Sequence, residues 1–191
     1  MNEKFTDRLN QILPRIKSQE LITNSGLGNE IGFYIFDYPP EEELTLRNML
    51  DSILNQLAKQ RPDLKVAKVN LFELVIDILK SRNLLDRALK MQKEKGDEEL
   101  RKALKGPLHE EKVAKAFVEK ANPDQYDIIL MTGVGTVWPL LRSHTLLNNL
   151  HPLMKGTPLI VFYPGYYDGQ SLSLFGKLKD NNYYRAFRLV P

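Results

Sequence analysis

The stretch Tyr126–Leu150, YDIILMTGVGTVWPLLRSHTLLNNL, decides the fold. Ile128 to Met131 is an unbroken apolar run, and it stops at the turn Gly133-Val134-Gly135. The residues from Thr136 to Leu150 read as a helix, with Thr136 as its cap and Trp138-Pro139 in its first turn, where proline loses no hydrogen bond. A buried strand, a tight glycine turn and a helix make the unit from which open parallel sheets are built. Ligands and partners of such sheets meet the chain at the carboxyl ends of the strands. Arg142 and His144 lie on the helix that leaves this turn, so the search for a site starts there.

The same alternation extends outward in both directions. GFYIFDY, residues 32–38, is aromatic and β-branched and reads as the first strand. Pro39-Pro40 stops it, and Glu41 to Glu43 open a helix, where carboxylates suit the positive end of the dipole. Leu46, Met49, Leu50, Ile53, Leu54 and Leu57 form its apolar stripe. LKVAKVNLF, residues 64–72, reads as strand two and runs into the buried helix ELVIDILKS. Helical segments are predicted at 84–94, 97–105 and 108–121, punctuated by Gly96 and Gly106-Pro107. This helical insertion, over residues 81–122, separates strand two from strand three at 126–131. PLIVFYPG, residues 158–165, is strand four, and YYDGQSLSLF is a loop or hairpin leading to a last strand near Tyr184 to Val190. Residues 5–22 read as an amphipathic helix interrupted or kinked at Pro14. The pattern predicts one α/β domain over residues 1–191, with a mostly parallel sheet of about five strands and helices on both faces.

Composition narrows the classes. The 191 residues are 42% hydrophobic, enough for a core in one domain. There is no cysteine, which excludes disulfides, thiolate metal sites and a cysteine nucleophile. The first residues, MNEKFTDRLNQILPRIKSQ, are charged throughout and lack the apolar core of a signal peptide. No window approaches the ~20 apolar residues that span a bilayer. These features read as a soluble cytoplasmic protein. The net charge is +3 with both signs interleaved, well short of a basic nucleic-acid footprint. The alternating charges between Lys90 and Lys120 read as a solvated helical face.

Chemical motifs are incomplete everywhere. The phosphate loop G-x-x-x-x-G-K-[ST] is absent. Gly26, Gly28 and Gly32 are one residue off a dinucleotide fingerprint and precede the first strand, whereas the fingerprint follows one. Three glutamates at the helix after strand one repel a phosphate. His109, His144 and His151 offer no metal-binding pair at helical spacing, and Ser143 beside His144 has no nucleophile elbow. Asp37 ends one strand and Asp127 begins another, which cannot form an acid–base pair in a parallel sheet; a capping or turn role is expected for Asp37. No metal or cofactor is expected.

Three functional readings stand on these residues. The Gly133–Thr136 turn, with Arg142 as a clamp, is the place for a nucleotide. The tail aromatics and cations, Tyr183, Tyr184, Arg185, Phe187 and Arg188, could stack on nucleic-acid bases or form a protein interface, the interface being favoured. Partner-facing residues are expected to be Trp138, Arg142, His144, Tyr184 and Arg185, because Trp, Tyr and Arg dominate interface energetics.

Five blocks resemble a known family in order: FYIFDYPPEEELTLR, KVNLFELVIDIL, DIILMTGVGTVWPLLRSHTLLNNL, LIVFYPGYYDGQSLSLFG and DNNYYRAFRLV. The chain is similar to the BrxB family of BREX (bacteriophage exclusion) systems from about residue 30 to the C-terminus. The resemblance implies a cytoplasmic component of a prokaryotic anti-phage system. Such a system also contains a DNA methyltransferase, a AAA+ ATPase and the phosphatase-superfamily protein PglZ. It implies a P-loop-like or Rossmann-like domain without the phosphate loop, acting as a non-enzymatic adaptor. PglZ is the first expected partner and the ATPase a second, with DNA reached through the complex. No catalytic residues come with the resemblance.

Overall fold

The computed structural model describes residues 3–24, 32–179 and 186–191. Helix α1 (Glu3–Ile16) presents Phe5, Leu9, Ile12 and Ile16 along one buried stripe. Pro14 sits in its last turn, and the break from α2 (Gln19–Ile22) falls later, at Ser18, whose hydroxyl accepts from Leu21 N. The helix runs on past Pro14, with Lys17 N donating to Leu13 O at 3.2 Å, so the missing proline N–H removes one bond without ending the helix there. Strand β1 (Phe33–Tyr38) is buried along its length. A short 3₁₀ turn at Pro40–Glu42 leads to α3 (Glu43–Gln60), which buries Leu46, Leu50, Ile53 and Leu57.

Strand β2 (Val66–Asn70) is shorter than its apolar run. Asn70 turns the chain, its Oδ1 accepting from Phe72 N at 2.9 Å and Glu73 N at 3.3 Å. That cap starts α4 (Leu71–Ser81) two residues inside the segment expected to be strand. The insertion follows as α5 (Leu85–Leu104) and α6 (Glu110–Ala121). Gly96 takes φ 81° within α5, so the element is two helices meeting at a kink, as the sequence suggests. Strand β3 (Ile128–Thr132) comes next, then α7 (Ser143–Leu150), β4 (Leu159–Tyr167), β5 (Leu172–Leu174), β6 (Leu178–Lys179) and β7 (Phe187–Arg188).

The sheet order is β2-β3-β4-β1-β7, all parallel, with β5 antiparallel on the end of β4 and β6 antiparallel on β5. The parallel path has the five strands expected, and the hairpin adds two. Register is set by pairs such as Phe33 with Leu159 and Val66 with Ile128.

From β1 the chain crosses past β4 and β3 to the far edge, then returns strand by strand. Right-handed crossovers in opposite directions put helices on opposite faces. Tyr34, Phe36, Ile128, Leu130, Ile160 and Phe162 therefore pack against α1 and α3. The alternate residues Phe33, Ile35, Ile129, Met131, Leu159 and Val161 pack against α4, α6 and α7. Each such side chain stabilises the fold by about 1.5–3 kcal/mol. Strands covered on both faces read as continuous apolar runs, which is why these were visible in the sequence.

Candidate functional site

The site is built where the carboxyl ends of β3 and β4 meet the β4–β5 hairpin. Gly133, at φ 73°, turns the chain after β3. A Cβ there would lie 2.6 Å from Asn70 Oδ1, and one on Gly135 would lie 2.9 Å from Pro164 and Phe175. The turn is thus filled by the protein's own side chains. Thr136 donates to Gly133 O at 2.8 Å and closes the turn instead of capping a helix.

The long helix expected from Thr136 to Leu150 is not formed. A 3₁₀ turn at Gly135–Val137 ends at Trp138, and the Trp138–Pro139 peptide is cis. Helix α7 begins only at Ser143, with Arg142 in extended conformation at its N-cap position and no side-chain cap. Pro139 is therefore outside the helix, where its missing N–H is again harmless. This irregular stretch carries the chain over the strand ends and leaves Trp138 47% exposed. The indole meets Phe175 edge-on, with ring centroids 6.3 Å apart.

The expected residues Trp138, Arg142 and His144 share one hollow of about 390 Å³. Its floor includes Tyr163 and Leu174, both buried, and its rim includes Leu178. Arg101 and Lys179 complete the wall. Arg142 is exposed and makes no ion pair among the described residues, nor does Lys179. Arg101 reaches Glu98 at 3.3 Å. His144 Nε2 lies 3.1 Å from Thr145 Oγ1. Among the described residues no carboxylate lines the hollow. Tyr184 and Arg185, and with them Tyr183, lie outside the described residues, as do Gly26 and Gly28.

Arg101 and Lys179 were missed in the sequence. Arg101 lies in the alternating charge run that reads as a solvated face, and nothing local shows that α5 brings it to the strand ends. Lys179 follows the hairpin, whose geometry only the β5–β6 pairing reveals.

A second cluster occupies the neighbouring strand ends. Asp37, at the end of β1, is buried. Its Oδ1 accepts from Arg8 Nη2 at 2.7 Å, and its Oδ2 accepts from Tyr167 N at 3.0 Å. Arg8 Nη1 donates to Asp37 O at 2.7 Å, and Arg8 Nη2 reaches Val190 O at 3.3 Å. Arg188 stands 4.0 Å from Asp37 Oδ2 and donates to Tyr167 O. Asp37 is thus neither cap nor turn residue; it joins α1, β1, β4 and the C-terminal segment. Nearby, burial and the Glu43 carboxylate push the Tyr38 hydroxyl far above its ordinary pKa, so it stays a donor to that carboxylate.

Other expected groups are structural. Asp127 Oδ2 accepts from Lys65 N at 2.7 Å, which ties β3 to β2 at their amino ends. His151 stacks edge-on against Phe33. Among the described residues no group of three His, Asp or Glu could hold a metal, and no helix is long and apolar enough to cross a membrane.

The family model of BREX protein BrxB matches residues 67–189, which include the whole hollow. The chain belongs to the BREX protein BrxB family. It is 44% identical over 184 residues to BREX protein BrxB of Escherichia coli O9:H4 (strain HS), covering 96% of this chain and 90% of that one. It is 41% identical over 191 residues to BREX protein BrxB of Bacillus cereus (strain H3081.97), covering 98% of each. No solved structure matches the chain.

Proposed function

We propose that this protein is a non-enzymatic adaptor of a BREX anti-phage complex that docks the phosphatase-superfamily protein PglZ, with the AAA+ ATPase a further candidate. One observation carries the reading. Of the eight exposed large hydrophobic residues among those described, Leu44, Phe72, Trp138, Tyr166 and Leu178 all leave the sheet at the carboxyl ends of its strands. Leu44 and Phe72 open the helices after β1 and β2, Trp138 follows β3, and Tyr166 and Leu178 belong to β4 and the hairpin. Apolar and aromatic groups gathered at one side, with cations at the rim, are the composition of a protein interface. The family membership supports a defence role.

Co-purification tests it. PglZ should be retained on a tagged copy of this chain from cells carrying the whole system, and Trp138→Ala should reduce the recovery at least tenfold, as truncation of a central Trp does. Loss of PglZ from the wild-type pull-down, in low and moderate salt alike, would refute the reading.

A further inference from the structure

We propose that the hollow beside Trp138 binds a small phosphorylated ligand carrying an aromatic ring, a molecule of the nucleotide class. The inference stands apart from partner docking. It rests on the hollow's size, its charge and its one exposed ring.

A volume of about 390 Å³ falls within the 300–1,000 Å³ typical of small-molecule sites. The chain holds 27 basic and 24 acidic residues, yet among the described residues this hollow is lined by Arg101, Arg142 and Lys179 and by no carboxylate. Arg101 comes from α5, Arg142 from the start of α7 and Lys179 from β6. Three cations brought together from three distant elements repel one another when the hollow is empty. A phosphate relieves that repulsion and accepts charge-assisted hydrogen bonds from Arg and Lys. Among the described residues two exposed carboxylates stand near these cations without lining the hollow: Glu98, paired with Arg101 at 3.3 Å, and Asp168, whose pKa Ser171, Gln170 and the charge of Lys179 hold down to about 2. The other half of the hollow is apolar. Leu174 and Tyr163 form a floor, and Phe175 braces the edge of Trp138, leaving the indole as a stacking surface. The turn Gly133–Thr136, in contrast, has no space for a phosphate, so the ligand sits on side chains and not in the glycine turn.

The chain has a single tryptophan, and it is the wall of the hollow, so intrinsic fluorescence reads the site directly. The purified chain is titrated to millimolar concentration with AMP, ADP, adenosine and inorganic phosphate, and with a short single-stranded oligonucleotide, each checked by calorimetry. Saturable binding of AMP or ADP that exceeds adenosine and inorganic phosphate supports the proposal. Arg142→Ala and Lys179→Ala should each weaken it about tenfold, the loss of one charge-assisted bond, while Lys155→Ala, paired with Asp124 at the opposite strand ends, leaves it unchanged. Silence by both methods overturns the proposal. So does inorganic phosphate binding as tightly as AMP, binding that survives both substitutions, or saturation by the oligonucleotide alone. Because the isolated chain is used, either result leaves the partner reading to its own test.

Discussion

The carboxyl end of the sheet holds two cationic clusters that differ in one respect. At the end of β1, Arg8 and Arg188 surround a buried carboxylate. Beside β3, Arg101, Arg142 and Lys179 line a hollow with no carboxylate among its described residues, and Arg101 alone has an ion pair, to the exposed Glu98 outside it. The first cluster is closed: Asp37 satisfies its cations within the chain and fastens both termini to the strand ends. The second is open: Arg142 and Lys179 make no ion pair among the described residues. Charge of one sign is thus closed by a buried carboxylate at one strand end and lines a hollow at the other.

Breaking the closed half should have the largest effect. Asp37→Ala leaves Arg8 without its partner in a mostly buried place and frees Tyr167 N. Removing one member of such a pair costs about 3–5 kcal/mol, which urea unfolding would register as a lower midpoint at unchanged slope. A loss under about 1 kcal/mol would mean that water replaces the carboxylate.

The glycine turn joins the two halves, and breaking it should cost less. Gly133→Ala forces φ 73° on a residue with a Cβ and drives Asn70 Oδ1 away from Phe72 N and Glu73 N. About 1 kcal/mol of backbone strain and about 1 kcal/mol of lost cap should appear as a fall of about 2 kcal/mol in stability. Full stability would show that the turn relaxes without disturbing the cap.

Asp168, between β4 and β5, sharpens the contrast through pH. Ser171 and Gln170 lower its pKa from 3.8 to about 2. A depressed carboxylate stabilises the fold above 3.8 and loses that contribution as pH falls through about 2. The melting temperatures of wild type and Asp168→Asn should therefore separate slightly above that window and converge below it. Parallel curves throughout would show that the turn does not depend on the charge.

How much of this was legible follows from what each residue does. The strands were readable because β1, β3 and β4 are buried on both faces and so are apolar without interruption. The glycines at Gly96 and Gly133 marked real turns. The break at Trp138-Pro139 was hidden, because a proline there is equally compatible with a first helical turn. Asn70 was read as strand because its capping role depends on the two residues after it being helical. Trp138, Arg142 and His144 were singled out from their place after a strand, and they line one hollow. Arg101 and Lys179 were not, since their convergence is a property of tertiary structure alone. Asp37 carried a strand-end signal but no sign of Arg8, which lies far away in sequence.

Docking at the open half is read most directly by size-exclusion chromatography of this chain with PglZ, comparing wild type with Arg142→Glu at micromolar concentration. Wild type should elute as a complex. Arg142→Glu should elute separately while melting within a few degrees of wild type, because exposed substitutions shift stability by only about 0.5 kcal/mol. Co-elution of Arg142→Glu to the same extent as wild type, or separate elution of the wild-type chain, would contradict docking at this surface.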